Sequence, residues 1–96
     1  MTPDKSKKIR ARVNRISGQI GGIGKMIDED RYCLEILDQI AAARSALDGL
    51  GVELLSNHIE CCMLGHGTGS EHEHAKTLTS EQLLDEVRAT LSRFLK

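Results

Sequence analysis

Three side chains of this chain are suited to hold one metal ion together: the thiols of Cys33 and Cys62 and the imidazole of His58. His58 and Cys62 are four residues apart, and in an α-helix that spacing returns to the same face, so both donors can turn toward one ion. Cys33 falls on nearly the same face. In one continuous helix its offset from His58 amounts to about 2500° of rotation, within roughly 20° of whole turns, but also to a rise of about 37 Å. No single ion spans that distance. The spacing therefore predicts a second chain running antiparallel, whose Cys33 meets the first chain's His58 and Cys62, with two equivalent sites per dimer by twofold symmetry. The two helices would cross near Ala46 and Leu47. Small residues cluster there, at Ala41, Ala42, Ala43, Ser45, Ala46 and Gly49, where two backbones can come close.

Each of these residues also has a plainer use. Cysteine on an apolar stripe is a small hydrophobe, and a single histidine often only hydrogen-bonds or faces water; the specific signal is the combination on one face. Cys61 continues the apolar stripe and reads as a packing residue. His66, His72 and His74, interspersed with Glu71 and Glu73, read as a flexible polar loop, because no fixed helix positions them as ligands. Three cysteines without a regular framework argue against a disulfide scaffold. They fit a reducing compartment in which thiols are metal ligands or reactive groups.

The elements that must position these donors are helical. Ile9, Val13, Ile16, Ile20, Ile23 and Ile27 alternate spacings of four and three, the stripe of a helix packed along its length, and Thr2-Pro3 supplies its cap and first residue. Asp28, Glu29 and Asp30 break that stripe. A second one runs Cys33, Ile36, Ile40, Ala43, Leu47, Leu50, Leu54. Asp48-Gly49 is a turn signal that could fold Cys33 back toward Cys62, yet the stripe keeps phase across it and across Gly51. A continuous helix is therefore expected, since a helical glycine costs only about 1 kcal/mol. Gly65-His66-Gly67-Thr68-Gly69-Ser70 ends it. Thr79-Ser80-Glu81-Gln82 then reads as a capping box, with Leu78 and Leu83 as its hydrophobic staple, opening a last helix with Leu83, Leu84, Val87, Leu91 and Leu95 on its apolar face.

Ninety-six residues with one Tyr and one Phe suffice for a single domain, 1–96, with a modest aliphatic core that oligomerisation would supplement. No apolar run reaches membrane-spanning length, and the basic N-terminus lacks the apolar stretch of a secretory signal, so a cytoplasmic protein without membrane partners is expected. No base, nucleophile and oxyanion-donor set appears, which argues against an enzyme. Charge is segregated: residues 1–27 hold seven Lys or Arg against Asp4 alone, a surplus of +6 against −7 in the remainder. A charge run can be only a solvated face. Repeated in an oligomer, this one would form a basic surface able to follow a DNA backbone, although no recognition-helix or zinc-finger pattern is present.

The segments Arg12-Val13-Asn14-Arg15-Ile16-Ser17-Gly18-Gln19-Ile20, Asp30-Arg31-Tyr32-Cys33 and Asn57-His58-Ile59-Glu60-Cys61-Cys62 together resemble the copper-sensitive operon repressor family, which also includes nickel/cobalt, formaldehyde and persulfide sensors. The resemblance covers nearly the whole chain. It implies an all-α, three-helix protomer with a long central helix, assembled through antiparallel dimers into a disc-shaped tetramer, a dimer of dimers. It also implies a repressor that binds operator double-stranded DNA when metal-free and releases it on binding its inducer. In the copper branch the positions of Cys33, His58 and Cys62 hold copper(I), one per protomer, with the first cysteine supplied by the partner subunit. Lys8, Arg10, Arg12, Arg15, Gln19 and Arg44 are the residues expected to face DNA. Tyr32 matches a residue that joins the histidine and a glutamate of the last helix in a hydrogen-bond network behind the ligands. Here that glutamate's position falls on Gln82, with Glu81 beside it, a departure that touches the route from metal to DNA release.

The donor set bears on the inducer. Copper(I) is soft and suited to two thiolates and an imidazole, whereas zinc takes a fourth ligand that the trio lacks. Nickel-sensing relatives add N-terminal nitrogen or histidine donors, and this chain has no histidine before His58. Formaldehyde sensors resemble it at Cys33 and His58 but have proline directly after the initiator Met and an acid at the Cys62 position; persulfide sensors lack the histidine. The alternative outside the family's role is a helical copper-buffering module without DNA binding, which has no use for the basic N-terminal third.

Overall fold

A computed structural model describes residues 1–69 and 71–95; Ser70 of the glycine-rich segment lies outside the described residues. The protein is all-α, and among the described residues there is no strand. Helix α1 spans Pro3–Asp28 and α2 Cys33–His58; α2 continues into a π-helical segment, Ile59–Leu64, followed by a one-turn α3, Glu73–Lys76, and α4, Ser80–Phe94. Two compact units divide the chain, Thr2–Leu54 and Leu55–Lys96 together with Met1, and α2 runs through the division.

In the first unit, α1 starts where the hydroxyl of Thr2 accepts from the Lys5 N–H, with Pro3 as first helical residue. It ends in a Schellman motif: Arg31 N–H donates to the Met26 carbonyl and Asp30 N–H to that of Ile27, with Asp30 left-handed at φ 53°. Helix α2 begins directly after, its first turn tied by an Arg31–Glu35 ion pair at 2.8 Å. No hairpin forms at Asp48-Gly49 and the helix is continuous, as the unbroken stripe predicts. Gly49 is nonetheless not idle. A Cβ there would stand 3.2 Å from Arg12 Nη1, and Arg12 Nη2 reaches Glu53 at 3.6 Å, so the middle of α1 meets the later turns of α2 with the guanidinium over the glycine.

The apolar stripe of α2 is divided in the structure. Ile36, Ala43 and Leu50, spaced by sevens, are covered, whereas Cys33, Ile40, Leu47 and Leu54 are exposed together with Leu34, Leu37 and Val52. On α1 only Ile16 is buried, while Ile20 and Ile27 face outward. Each such side chain, if covered, would contribute about 1.5–3 kcal/mol.

The second unit has its own small core of Cys62, Ala75 and Leu83, with Cys61, Met63 and Leu78 packed against it. Leu78 packs against the same core that holds Leu83, and the capping box is formed: Thr79 N–H donates to Gln82 Oε1 at 2.8 Å and Gln82 N–H to Thr79 Oγ1 at 3.1 Å. The segment expected to be a flexible polar loop is built otherwise. The buried Glu71 carboxylate accepts from Gly67 N–H at 2.6 Å and Gly69 N–H at 3.1 Å, and both glycines take the left-handed φ that favours a residue without Cβ. His72 caps α3, its Nδ1 accepting from His74 N–H at 3.1 Å, and His74 Nε2 pairs with Glu86 at 3.1 Å. The Glu71-centred turn and α3 are the physical reason for the difference.

Candidate metal centre

The three candidate donors lie at the ends of α2. Cys33 is its first residue and is exposed; His58 is its last and is half-buried; Cys62 lies one turn on in the π-helical segment and is 1 % exposed. Cys33 and Tyr32 belong to the first unit, His58 and Cys62 to the second. Among the described residues, no group of three or more His, Cys, Asp or Glu side chains comes together in a way that could hold a metal ion. None of the three cysteines is in a disulfide.

The π-helical turn, closed by Gly65 N–H donating to the Glu60 carbonyl five residues back at 3.0 Å, is wider than the α-helix the spacing predicts. Such turns are rare and recur at functional sites. It aims Cys62 into the core of its unit, where the sulfur accepts from His72 N–H at 3.3 Å and lies 3.1 Å from Cys61 Sγ. Burial, then the hydrogen bond to the Cys62 sulfur, push the Cys61 thiol up from its ordinary value. Cys61 packs against the core as the sequence predicts, with Asn57 Nδ2 at 3.9 Å from its sulfur. His66 Nδ1 is buried without a hydrogen-bond partner, 3.9 Å from Glu71 Oε2, an ion pair only when the imidazole is protonated. Two thiols and an imidazole, one thiol already receiving an N–H dipole, suit a soft monovalent ion better than a hard one.

Of the residues expected behind the ligands, Tyr32 is exposed and its carbonyl accepts from Glu35 and Ile36 N–H in the first turn of α2. Glu81 is exposed on α4, and the side-chain oxygen of Gln82 is committed to the cap of that helix. The residues expected to face DNA all lie in the first unit. At about 100° per residue, Lys8, Arg12, Arg15 and Gln19 share one face of α1, and Arg10 stands on the other side of the apolar stripe. Lys8, Arg10, Arg15, Gln19 and Arg44 are exposed, whereas Arg12 is half-buried by its lodging over Gly49. Sequence reasoning missed the closeness of the Cys61 and Cys62 sulfurs and the carboxylate-centred turn at Glu71. The adjacent cysteines were a visible signal; the π-turn that brings their sulfurs together had none.

A family model described as metal-sensitive transcriptional repressor matches residues 5–93. The copper-sensing transcriptional repressor RicR of Mycobacterium tuberculosis (strain ATCC 25618 / H37Rv) is 44% identical over 52 residues, 54% of each chain, so the match spans about half the length of that relative. The copper-sensing transcriptional repressor CsoR of Bacillus subtilis (strain 168) is 33% identical over 89 residues, 93% of this chain and 80% of the relative. Among solved structures, the copper-sensing repressor CsoR with Cu(I) from Geobacillus thermodenitrificans NG80-2 aligns with a TM-score of 0.82 at 34% identity, covering 100% of this chain and 92% of that one. The nickel-responsive transcriptional regulator InrS aligns with a TM-score of 0.70, also at 34% identity, covering 92% and 90%. Overall identity therefore does not select the inducer, and the donor atoms must.

Proposed function

We propose that this chain, which belongs to the metal-sensitive transcriptional repressors and is not an enzyme, is a copper(I)-responsive repressor that binds operator DNA when metal-free and releases it on binding the metal. Cys33, His58 and Cys62 hold one copper(I) per protomer at a site shared between subunits, Cys33 coming from the antiparallel partner. The observation that carries this reading is the donor set itself: two thiols and one imidazole, a trio without the fourth ligand that zinc takes, and no histidine before His58 for nickel. The continuous α2 supports the shared site, because Cys33 and His58 stand at its opposite ends. The exposed Leu34, Leu37, Ile40, Leu47 and Val52 support an assembly of two or more chains, read here as a dimer of dimers. Residues 1–96 act as one sensing and DNA-binding domain.

Bound copper(I) supplies a soft centre that draws two thiolates and a neutral imidazole to one point. The chain's own part is to keep those groups in reach. The His72 N–H holds the Cys62 sulfur in place through its hydrogen bond. Any change of partner at that sulfur acts directly on α3 and on the packing of Leu83 at the start of α4, a route from ligand to fold that does not need a glutamate at position 82. Lys8, Arg12, Arg15, Gln19 and Arg44, with Arg10, supply phosphate contacts. A cytoplasmic location follows from the role; no helix among the described residues is long and apolar enough to cross a membrane. Titrating copper(I), nickel(II) and zinc(II) separately into a fluorescent complex with DNA from the protein's own promoter tests the reading. Copper(I) alone should lower the anisotropy to that of the DNA by itself, and release by nickel(II) or zinc(II) but not by copper(I) contradicts it.

A further inference from the structure

The Cys61 and Cys62 sulfurs stand 3.1 Å apart on adjacent residues, one half-buried and the other sealed in the core. A disulfide between them is opposed by the backbone: Cα atoms across a trans peptide are about 3.8 Å apart, and disulfides ordinarily need about 4.4–6.8 Å. An atom bridging the two sulfurs does not require them to close to bonding distance, and so leaves the helical turn intact. Both sulfurs are also held in place by nitrogen donors, with His72 N–H pointing at Cys62 Sγ and Asn57 Nδ2 at Cys61 Sγ.

We propose that Cys61 and Cys62 form a chelating dithiol for trivalent arsenicals, one arsenic atom bonding both sulfurs. Cys61 makes the first bond because it is the accessible thiol, and Cys62, already adjacent, closes the ring. For an arsenoxide, the As=O oxygen leaves as one water carrying both thiol protons while two As–S bonds form, and arsenic stays trivalent. No oxidant is involved. The bridging stands on this geometry alone; its consequence, that the arsenical removes Cys62 from the copper site and so competes with copper(I), rests on the proposed function.

The test uses the full reduced chain, without metal or DNA, and phenylarsine oxide as the probe. Intact mass should show one adduct per chain with loss of one water, and titratable thiols should fall from three to one. The adduct should survive excess monothiol and be removed by a dithiol. Cys33→Ala should keep it, whereas Cys61→Ser and Cys61→Ala, checked for native helicity by circular dichroism, should bind the probe about 100-fold more weakly, as expected when the second bond is no longer intramolecular. Absence of the adduct in the parent overturns the proposal. So does an adduct that Cys61→Ser retains, or one that Cys33→Ala loses, which would place the arsenic between subunits. Copper(I) affinity of Cys61→Ser, measured separately, should match the parent, so failure of the arsenical site and failure of the copper reading give different results.

Discussion

The backbone N–H of His72 donates to the sulfur of Cys62 across 3.3 Å, tying the cap of α3 to the π-helical turn that carries the candidate ligand. Cys62 is thus both a proposed ligand and a core residue, while Cys33 is exposed. The two should separate in stability. Cys62→Ala leaves the His72 N–H without its acceptor and should cost about 1–3 kcal/mol in thermal or urea unfolding of the metal-free protein. Cys33→Ala should stay within about 0.5 kcal/mol of the parent. Both should lose tight copper(I) binding.

Arg12 reaches Glu53 at 3.6 Å with both side chains substantially exposed, a pair that adds at most about 1 kcal/mol to stability. Its value lies in position. Arg12→Ala together with Arg15→Ala should abolish DNA binding while leaving the unfolding midpoint and copper(I) affinity nearly unchanged, and Arg12→Ala alone should reduce the salt slope of DNA binding by about 1. Glu53→Gln should leave DNA affinity equal or higher. A double variant that still binds DNA with the parent's salt dependence would remove α1 from the interface.

Gln82 can act as a cap or as part of the network behind the ligands, and the two uses predict different variants. Gln82→Ala should cost about 1 kcal/mol of stability, as cap losses do, and Gln82→Glu should preserve the cap. If both variants retain copper-driven DNA release, coupling runs through Cys62 and α3 rather than through position 82.

Leu83 is 1 % exposed at the centre of the second unit. Leu83→Ala should cost about 2–5 kcal/mol, read as a lowered unfolding midpoint.

Helices were legible because their signals are local and repetitive. Thr2-Pro3, the isoleucine stripe of α1, the unbroken phase through Gly49 and the Thr79–Gln82 box each rest on residues a turn apart, and each has its expected element. What escaped depends on a wider or more distant geometry. A π-turn has no composition of its own, so the aim of Cys62 into the core and the approach of Cys61 to it could not be read from a spacing of four. The histidine-rich segment looked like a loop because its organiser, Glu71, works through backbone N–H groups of glycines rather than through a side-chain pattern. The half of the α2 stripe left exposed at Ile40 and Leu47 reads in sequence just like the half that Ala43 helps to cover.

The shared site predicts complementation. A Cys33→Ala chain mixed with a His58→Ala/Cys62→Ala chain should form a heterodimer with one complete site of its two, the other lacking every ligand, so tight copper(I) binding should return at half the parent stoichiometry. Tight binding by a monomeric parent would place all ligands within one chain.

The most direct measurement is copper-driven release of operator DNA by the parent and by His58→Ala, followed by fluorescence anisotropy under buffered copper(I), with a persulfide donor run in parallel. A three-coordinate site needs the imidazole, so His58→Ala should hold its DNA at copper(I) levels that fully release the parent, while oxidative crosslinking of Cys33 to Cys62 across subunits is little changed. Unimpaired copper-driven release by His58→Ala, together with release of the parent by the persulfide donor, would contradict the copper assignment and replace it with thiol-based sensing.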